Sequence, residues 1–209
     1  MAAYTFYTSP MSRGQIARWA LHEAGADYDQ VLVDWADKPA AFVAANPMGK
    51  VPTIVHHTAA GDRVITECAA ICAYLADAHP QAALLPADEE RADYYRWMFF
   101  AAGPVEQAIT GKSMGWEVPA GREGMVGFGS FERVLDTLER HFSASEYVCG
   151  ARFTMADVYV DSQIDWGLNF GSIPPRDAFV SYAERLRARP AYSAAKAIDN
   201  ALIAAAQTS

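Results

Sequence analysis

The stretch Asn46-Pro47-Met48-Gly49-Lys50-Val51-Pro52-Thr53-Ile54-Val55 decides the fold. A turn-forming Asn-Pro and a glycine run directly into an apolar, β-branched strand. That strand carries a proline at its entrance, where the backbone loses a ladder donor. The position suits a cis peptide bond, which turns the main chain of Val51 away from the sheet. Its N–H and C=O are then open to a peptide-like ligand.

On the N-terminal side, Thr5-Phe6-Tyr7 reads as a short strand that ends at Thr8-Ser9-Pro10. Beyond the loop Met11-Ser12-Arg13-Gly14, apolar residues at Ile16, Ala17, Ala20, Leu21 and Ala24 recur at helical spacing, and Gly25 stops the helix. Tyr28 to Trp35 alternates as a second strand, and residues 38–45 form an Ala-rich short helix. On the C-terminal side, strands at Thr53–His56 and Arg63–Thr66 flank the turn Ala59-Ala60-Gly61-Asp62 as a hairpin. A helix from Glu67 to Ala78 then ends at His79-Pro80. The order βαβ, short helix, ββα makes residues 1–80 a mixed sheet with helices on its faces.

Residues 81–88 read as a linker, and the pattern over 89–209 is entirely helical. One long helix from Glu89 to Thr110 carries a kink near Gly103-Pro104. After a loop at 111–121, a second long helix is expected over 122–142. Thr154 and Asp157 have capping-box spacing and open a helix through Val158, Val160 and Ile164. The last two helices are separated at Arg189-Pro190.

Composition narrows the function. The chain has 209 residues, 52% hydrophobic and 20% charged, as in a globular protein with an adequate core. A net charge of −8 argues against broad binding to nucleic acid or to an anionic membrane. No apolar run approaches the roughly 20 residues of a membrane span, and Met1-Ala2-Ala3-Tyr4-Thr5 has no signal-peptide character, so a cytoplasmic protein is expected. Cys68, Cys72 and Cys149 are an odd number without Cys-x-x-Cys spacing, which favours neither a disulfide framework nor zinc. His56, His57 and His79 lack a second-ligand spacing, so no metal is expected.

Two segments together resemble the glutathione-site signature of glutathione S-transferases. They are Asn46-Pro47-x-Gly49-x-Val51-Pro52 and Glu67-Cys68-x-Ala70-Ile71-x-x-Tyr74-Leu75, with Cys68 where that family usually has serine. A third, Gly150-x-x-Phe153-Thr154-x-Ala156-Asp157, is similar to a folding segment of the same family's C-terminal domain. The resemblance implies a thioredoxin-like α/β domain followed by an all-α domain, acting as a cytosolic homodimer. It implies glutathione as co-substrate and a small hydrophobic electrophile as its partner. Another glutathione-dependent activity (peroxidase, isomerase or dehalogenase) and a non-catalytic glutathione-fold binding protein are the alternatives it leaves.

By the same resemblance, Val51 pairs its backbone with the cysteinyl part of glutathione, with Pro52 as the cis proline. Glu67 and Cys68 hold the γ-glutamyl end, and Lys50, or more loosely Lys38, reaches the glycyl carboxylate. Thiol activation calls for a hydroxyl between the first strand and the first helix, and Tyr7, Thr8, Ser9 and Ser12 are in range. Ser12 stands before Gly25 at the distance the resemblance implies for Ser-type members and Tyr7 at that of Tyr-type members, but the loop Ser9-Pro10-Met11-Ser12 lacks the Tyr-type pattern, which favours Ser12 over Tyr7 and Ser9. No cysteine precedes Cys68, so disulfide exchange of the glutaredoxin kind is poorly supported. The electrophile site is expected in the helical domain, with Tyr94, Trp97, Phe100 and Trp116 as its aromatic candidates.

Overall fold

The computed structural model describes residues 2–207. The chain divides into two compact units: residues 1–85 with 188–209, and residues 86–187.

The first unit is built on a four-stranded sheet in the order β2-β1-β3-β4. The strands are β1 (Tyr4–Thr8), β2 (Tyr28–Leu32), β3 (Thr53–Thr58) and β4 (Gly61–Thr66). β1 runs parallel to β2 and antiparallel to β3, and β3 to β4 is the antiparallel hairpin. Helix α1 (Gly14–Ala24) makes the crossover from β1 to β2, the short α2 (Ala40–Ala45) precedes β3, and α3 (Cys68–Ala78) follows β4. This is the thioredoxin-like arrangement expected. Strand alternation sends Tyr4 and Phe6 to one face and Tyr7 to the other. Phe6 meets the Arg18 guanidinium of α1, while Tyr7 packs with Val33, Phe42 and Val55 beneath α2.

Tyr28 to Trp35 proves shorter as a strand, ending at Leu32. Its only sheet neighbour, β1, also ends there, with Thr8 opposite Leu32. The final helix α9 (Pro190–Gln207), expected with the helical domain, packs instead on α1 in the first unit. The cause is a fully buried ion pair, Arg18 Nε to Asp199 Oδ1 at 3.0 Å. Lys196 Nζ to Gln15 and Arg189 to Glu23 reinforce it nearer the surface.

The second unit is helical. It contains α4 (Arg91–Phe100), α5 (Glu106–Ser113), α6 (Phe131–Phe142), α7 (Met155–Phe170) and α8 (Asp177–Arg187). The kink expected at Gly103-Pro104 is a π-helical turn over Ala101–Val105 that joins α4 to α5. The helix expected over 122–142 begins only at Phe131. Gly129 has φ +64° just before it, and Ser130 caps the new start by accepting the Arg133 N–H at 3.2 Å. The capping box at Thr154 and Asp157 is present, and the buried Asp157 carboxylate also accepts from Val148 N–H and Tyr182 Oη. Among the described residues no helix is long and apolar enough to cross a membrane.

Candidate functional site

Sheet register brings the separate segments together. Tyr7 stands opposite Thr53, and Thr53 opposite Thr66. The residues just past these three points are the loop Ser9–Arg13, the pair Val51-Pro52, and Glu67-Cys68. All three therefore emerge at the same end of the sheet, where α1 and α3 begin.

The Asn46–Thr53 turn is held by a side chain, not by the ladder. Asn46 is buried, and its Nδ2 donates to Lys50 O at 2.9 Å and to Thr53 Oγ1 at 3.0 Å, while its Oδ1 accepts Met48 N–H. Gly49 takes φ +60° within this turn. Val51-Pro52 is cis, and Val51 lies before β3 begins, outside the ladder. Lys38 Nζ reaches the Gly49 carbonyl at 3.3 Å and lies 5.5 Å from the centre of the Trp35 ring. Lys50 is exposed on the same turn. The looser sequence candidate, Lys38, is thus the one fixed against the turn. No spacing rule links positions 38 and 49, so sequence reasoning had little to signal it. Asn46 was legible only as a turn former, and its role as the hub of the turn was missed.

Glu67 joins β4 to α3 with φ 63° and ψ 120°, a conformation a non-glycine residue rarely adopts. Holding it costs on the order of 1–3 kcal/mol, which is characteristic of a junction under functional constraint. Its side chain is exposed. Cys68, the first residue of α3, is buried, and its Sγ donates to Arg13 O at 3.6 Å. The thiol thus ties the start of α3 to the start of α1. One turn on, Cys72 is fully buried, and burial, with Cys68 beside it, pushes its thiol well above the usual range.

The hydroxyl candidates separate clearly. Tyr7 is 8% exposed, its ring 5.4 Å from Phe42, on the sheet face away from α1. Thr8 is fully buried with Oγ1 unpartnered, pressed against Gly14, where a Cβ would come within 2.0 Å of it. Ser12 is half-buried at the head of α1, its hydroxyl donating to Ser9 O at 2.6 Å and accepting Gly14 N–H at 3.0 Å. Ser9 is half-buried beside it. The loop therefore presents serine oxygens at a helix N-terminus, where partial positive charge favours an anion.

Of the aromatic candidates, Tyr94 and Trp97 are only 2% exposed and belong to the core of the second unit, because they lie on the buried face of α4. Phe100 is half-buried, edge-on to Trp97. Trp116 is 67% exposed and lines a cavity formed with α5. Among the described residues no group of three or more His, Cys, Asp or Glu is placed to hold a metal ion.

Comparison with known proteins bears on the family and the fold. Residues 9–78 match the family model for the glutathione S-transferase N-terminal domain. Glutathione S-transferase 2 of Schizosaccharomyces pombe is 30% identical over 165 residues, covering 74% of this chain and 69% of that protein. Glutathione S-transferase GstA of Escherichia coli O157:H7 is 28% identical over 185 residues, covering 83% and 90%. Among solved structures, a glutathione transferase of Methylococcus capsulatus superposes with TM-score 0.76 at 28% identity, over 94% of this chain and 98% of that one. A sphingomonad glutathione S-transferase complexed with glutathione gives TM-score 0.72 at 26% identity, over 94% and 98%.

Proposed function

Because the chain belongs to the glutathione S-transferase family, an enzyme family, we propose that it binds glutathione at the end of the sheet described above. There it would ionise the thiol and transfer it to a small hydrophobic electrophile. The observation that carries this reading is the register Tyr7–Thr53–Thr66, which gathers the serine loop, Val51-Pro52 and Glu67-Cys68 at two helix N-termini.

The division of labour follows from charge and hydrogen-bonding capacity. Val51, outside the ladder, offers its main chain to the peptide of the ligand. Glu67 takes the γ-glutamyl ammonium, and the N–H groups opening α3 take the adjacent carboxylate. The Cys68 thiol, a weak donor already directed at Arg13 O, contributes little to that carboxylate. Lys38, steadied by Gly49 O and Trp35, takes the glycyl carboxylate, with the exposed Lys50 as the second cation.

Ser12 is the group proposed to stabilise the thiolate. A thiol of pKa near 8.5 is mostly protonated at neutral pH, and each unit of lowering takes about 1.36 kcal/mol of preference for the charged form. Turning the Ser12 proton from Ser9 O to the sulfur gives up a neutral hydrogen bond worth about 0.5–1.5 kcal/mol. It gains one to an anion worth about 1.5–3 kcal/mol. The Gly14 N–H that Ser12 accepts leaves its oxygen on the α1 N-terminus, so the dipole adds to the effect. Ser9 is the second candidate. Nucleophilic attack or displacement by the thiolate then follows, with rate gained from ionisation and proximity.

A homodimer in the cytoplasm goes with this reading. Exposed Tyr95 and Phe99, four apart on α4, support a surface that a second copy covers, and sedimentation velocity checks it. The transferase reading is tested by following glutathione consumption against a panel of aromatic halides, a hydroperoxide and a maleyl compound. Turnover of the halides alone is the expected result, and no turnover of any of them would refute the enzyme assignment.

A further inference from the structure

Two rungs join α1 to α9 within the first unit. Arg18 Nε donates to Asp199 Oδ1 at 3.0 Å, and Lys196 Nζ donates to Gln15 Oε1 at 2.7 Å. Gln15 and Arg18 are three apart on α1, and Lys196 and Asp199 are three apart on α9, so each pair shares one face of its helix. The Arg18–Asp199 rung is fully buried and fixes how the two helices meet. The half-buried Lys196 is thereby set opposite Gln15.

The Gln15 amide also reaches the other way. Its Nε2 donates to the carbonyl of Pro10 at 2.6 Å, inside the loop Ser9-Pro10-Met11-Ser12. An ammonium group can only donate, so Lys196 takes the amide oxygen and leaves the amide nitrogen for Pro10. With the amide turned over, oxygen would face oxygen at the loop, and nitrogen would face the ammonium. Lys196 thus fixes the direction of the tether from outside the loop. Pro10 has no N–H to offer, so its carbonyl is the main-chain group by which it can be held. It stands between Ser9, whose carbonyl accepts the Ser12 hydroxyl at 2.6 Å, and Ser12, whose oxygen accepts Gly14 N–H at 3.0 Å. Holding that carbonyl therefore bears on where both hydroxyls sit at the head of α1.

We infer that Gln15, oriented by Lys196, is a positioning residue for thiol activation: it holds the serine loop at the Pro10 carbonyl so that Ser12 meets the sulfur at the head of α1. The inference rests on the transferase reading above and gives α9 a part in it through Lys196. Gln15→Met removes both hydrogen bonds without changing charge, Lys196→Met removes the orienting donor, and Lys196→Arg keeps one. The native full-length chain and the three variants are compared by thiolate absorbance of bound glutathione against pH, by kcat and KM with an aryl halide, and by urea unfolding. Gln15→Met and Lys196→Met should each raise the bound thiol's pKa by roughly half a unit or more, which is about threefold less thiolate at a pH below both values. Each should lower kcat while KM for glutathione stays near the wild-type value, because the groups proposed to hold the two ends of glutathione are untouched. Lys196→Arg should behave as the wild type, and all three should unfold cooperatively. A wild-type complex whose thiol titrates like free glutathione would sink the transferase reading itself. A lowered wild-type pKa that folded Gln15→Met leaves unchanged would overturn this inference alone. So would a rise in Lys196→Met without one in Gln15→Met, the result expected if Lys196 acted only through its charge.

Discussion

Cys68 Sγ points at the carbonyl of Arg13 across 3.6 Å, so the first residue of α3 is hydrogen-bonded to the residue that precedes α1. Two helix N-termini, the one proposed to take the carboxylate end of glutathione and the one proposed to take its thiol, are thereby held in fixed register. The position where the family usually carries serine has become structural in this chain. Cys68→Ala should cost about 1 kcal/mol of stability, the usual worth of a single hydrogen bond. It should change glutathione affinity by less than about threefold, because backbone N–H groups and the helix dipole remain. Calorimetric titration beside thermal unfolding measures both.

Gly14 is where backbone proximity, not chemistry, dictates the residue. A methyl group there would stand 2.0 Å from Thr8 Oγ1 and 3.1 Å from Ser12 Oγ. Gly14→Ala should therefore destabilise by about 1–3 kcal/mol through overpacking, and should lower the turnover rate by displacing Ser12. Thr8→Ala in the same chain should recover part of the stability, which a double-mutant cycle in urea reads directly.

The buried pair of Arg18 and Asp199 fastens the last helix to the first unit. Removing only the carboxylate leaves a guanidinium stranded between Phe6 and Tyr28. Asp199→Ala should thus cost about 3–5 kcal/mol, whereas the apolar double replacement Arg18→Met with Asp199→Leu should cost far less. Chemical denaturation of the three proteins checks the ordering.

Burial raises the Asp157 carboxyl from 3.8 to about 6 despite the donors from Val148, Thr154 and Tyr182. The folded state then holds a proton between these two pH values that the unfolded state has lost, so this group's contribution to stability falls as pH rises from about 4 to about 6. Compared with Asp157→Asn, the wild type should lose on the order of 2–3 kcal/mol across that window. Unfolding free energies measured at intervals from pH 4 to pH 7, as about the practical range, give the difference curve.

The parts of this protein that sequence makes legible are those governed by local rules. The turn at Asn46-Pro47, the stop at Gly25, the π-helical kink at Gly103-Pro104 and the Thr154–Asp157 capping box each depend on neighbours a few residues apart. The misreadings arise where distant partners decide. Nothing near Asp199 announces that Arg18 awaits it, so the packing of α9 on α1 was not legible. The apolar face of the helix expected over 122–142 lies at Phe131, Val134, Leu135 and Leu138, and the segment before it, with glycines at 124, 127 and 129, lines a cavity instead of extending the helix. At the site, strand alternation separates Tyr7 from the α1 face, yet which face is which becomes visible only once Phe42 packs over the ring.

The central claim is that a serine at the head of α1, and not Tyr7, ionises bound glutathione. Ultraviolet thiolate absorbance of the glutathione complex, titrated against pH, addresses it most directly in the wild type and in Ser12→Ala, Ser9→Ala and Tyr7→Phe. The wild type and Tyr7→Phe should share a thiol pKa lowered by about 1–2 units, and Ser12→Ala should return it toward the free value near 8.5. A pKa that rises in Tyr7→Phe while Ser12→Ala and Ser9→Ala leave it unchanged would contradict the account.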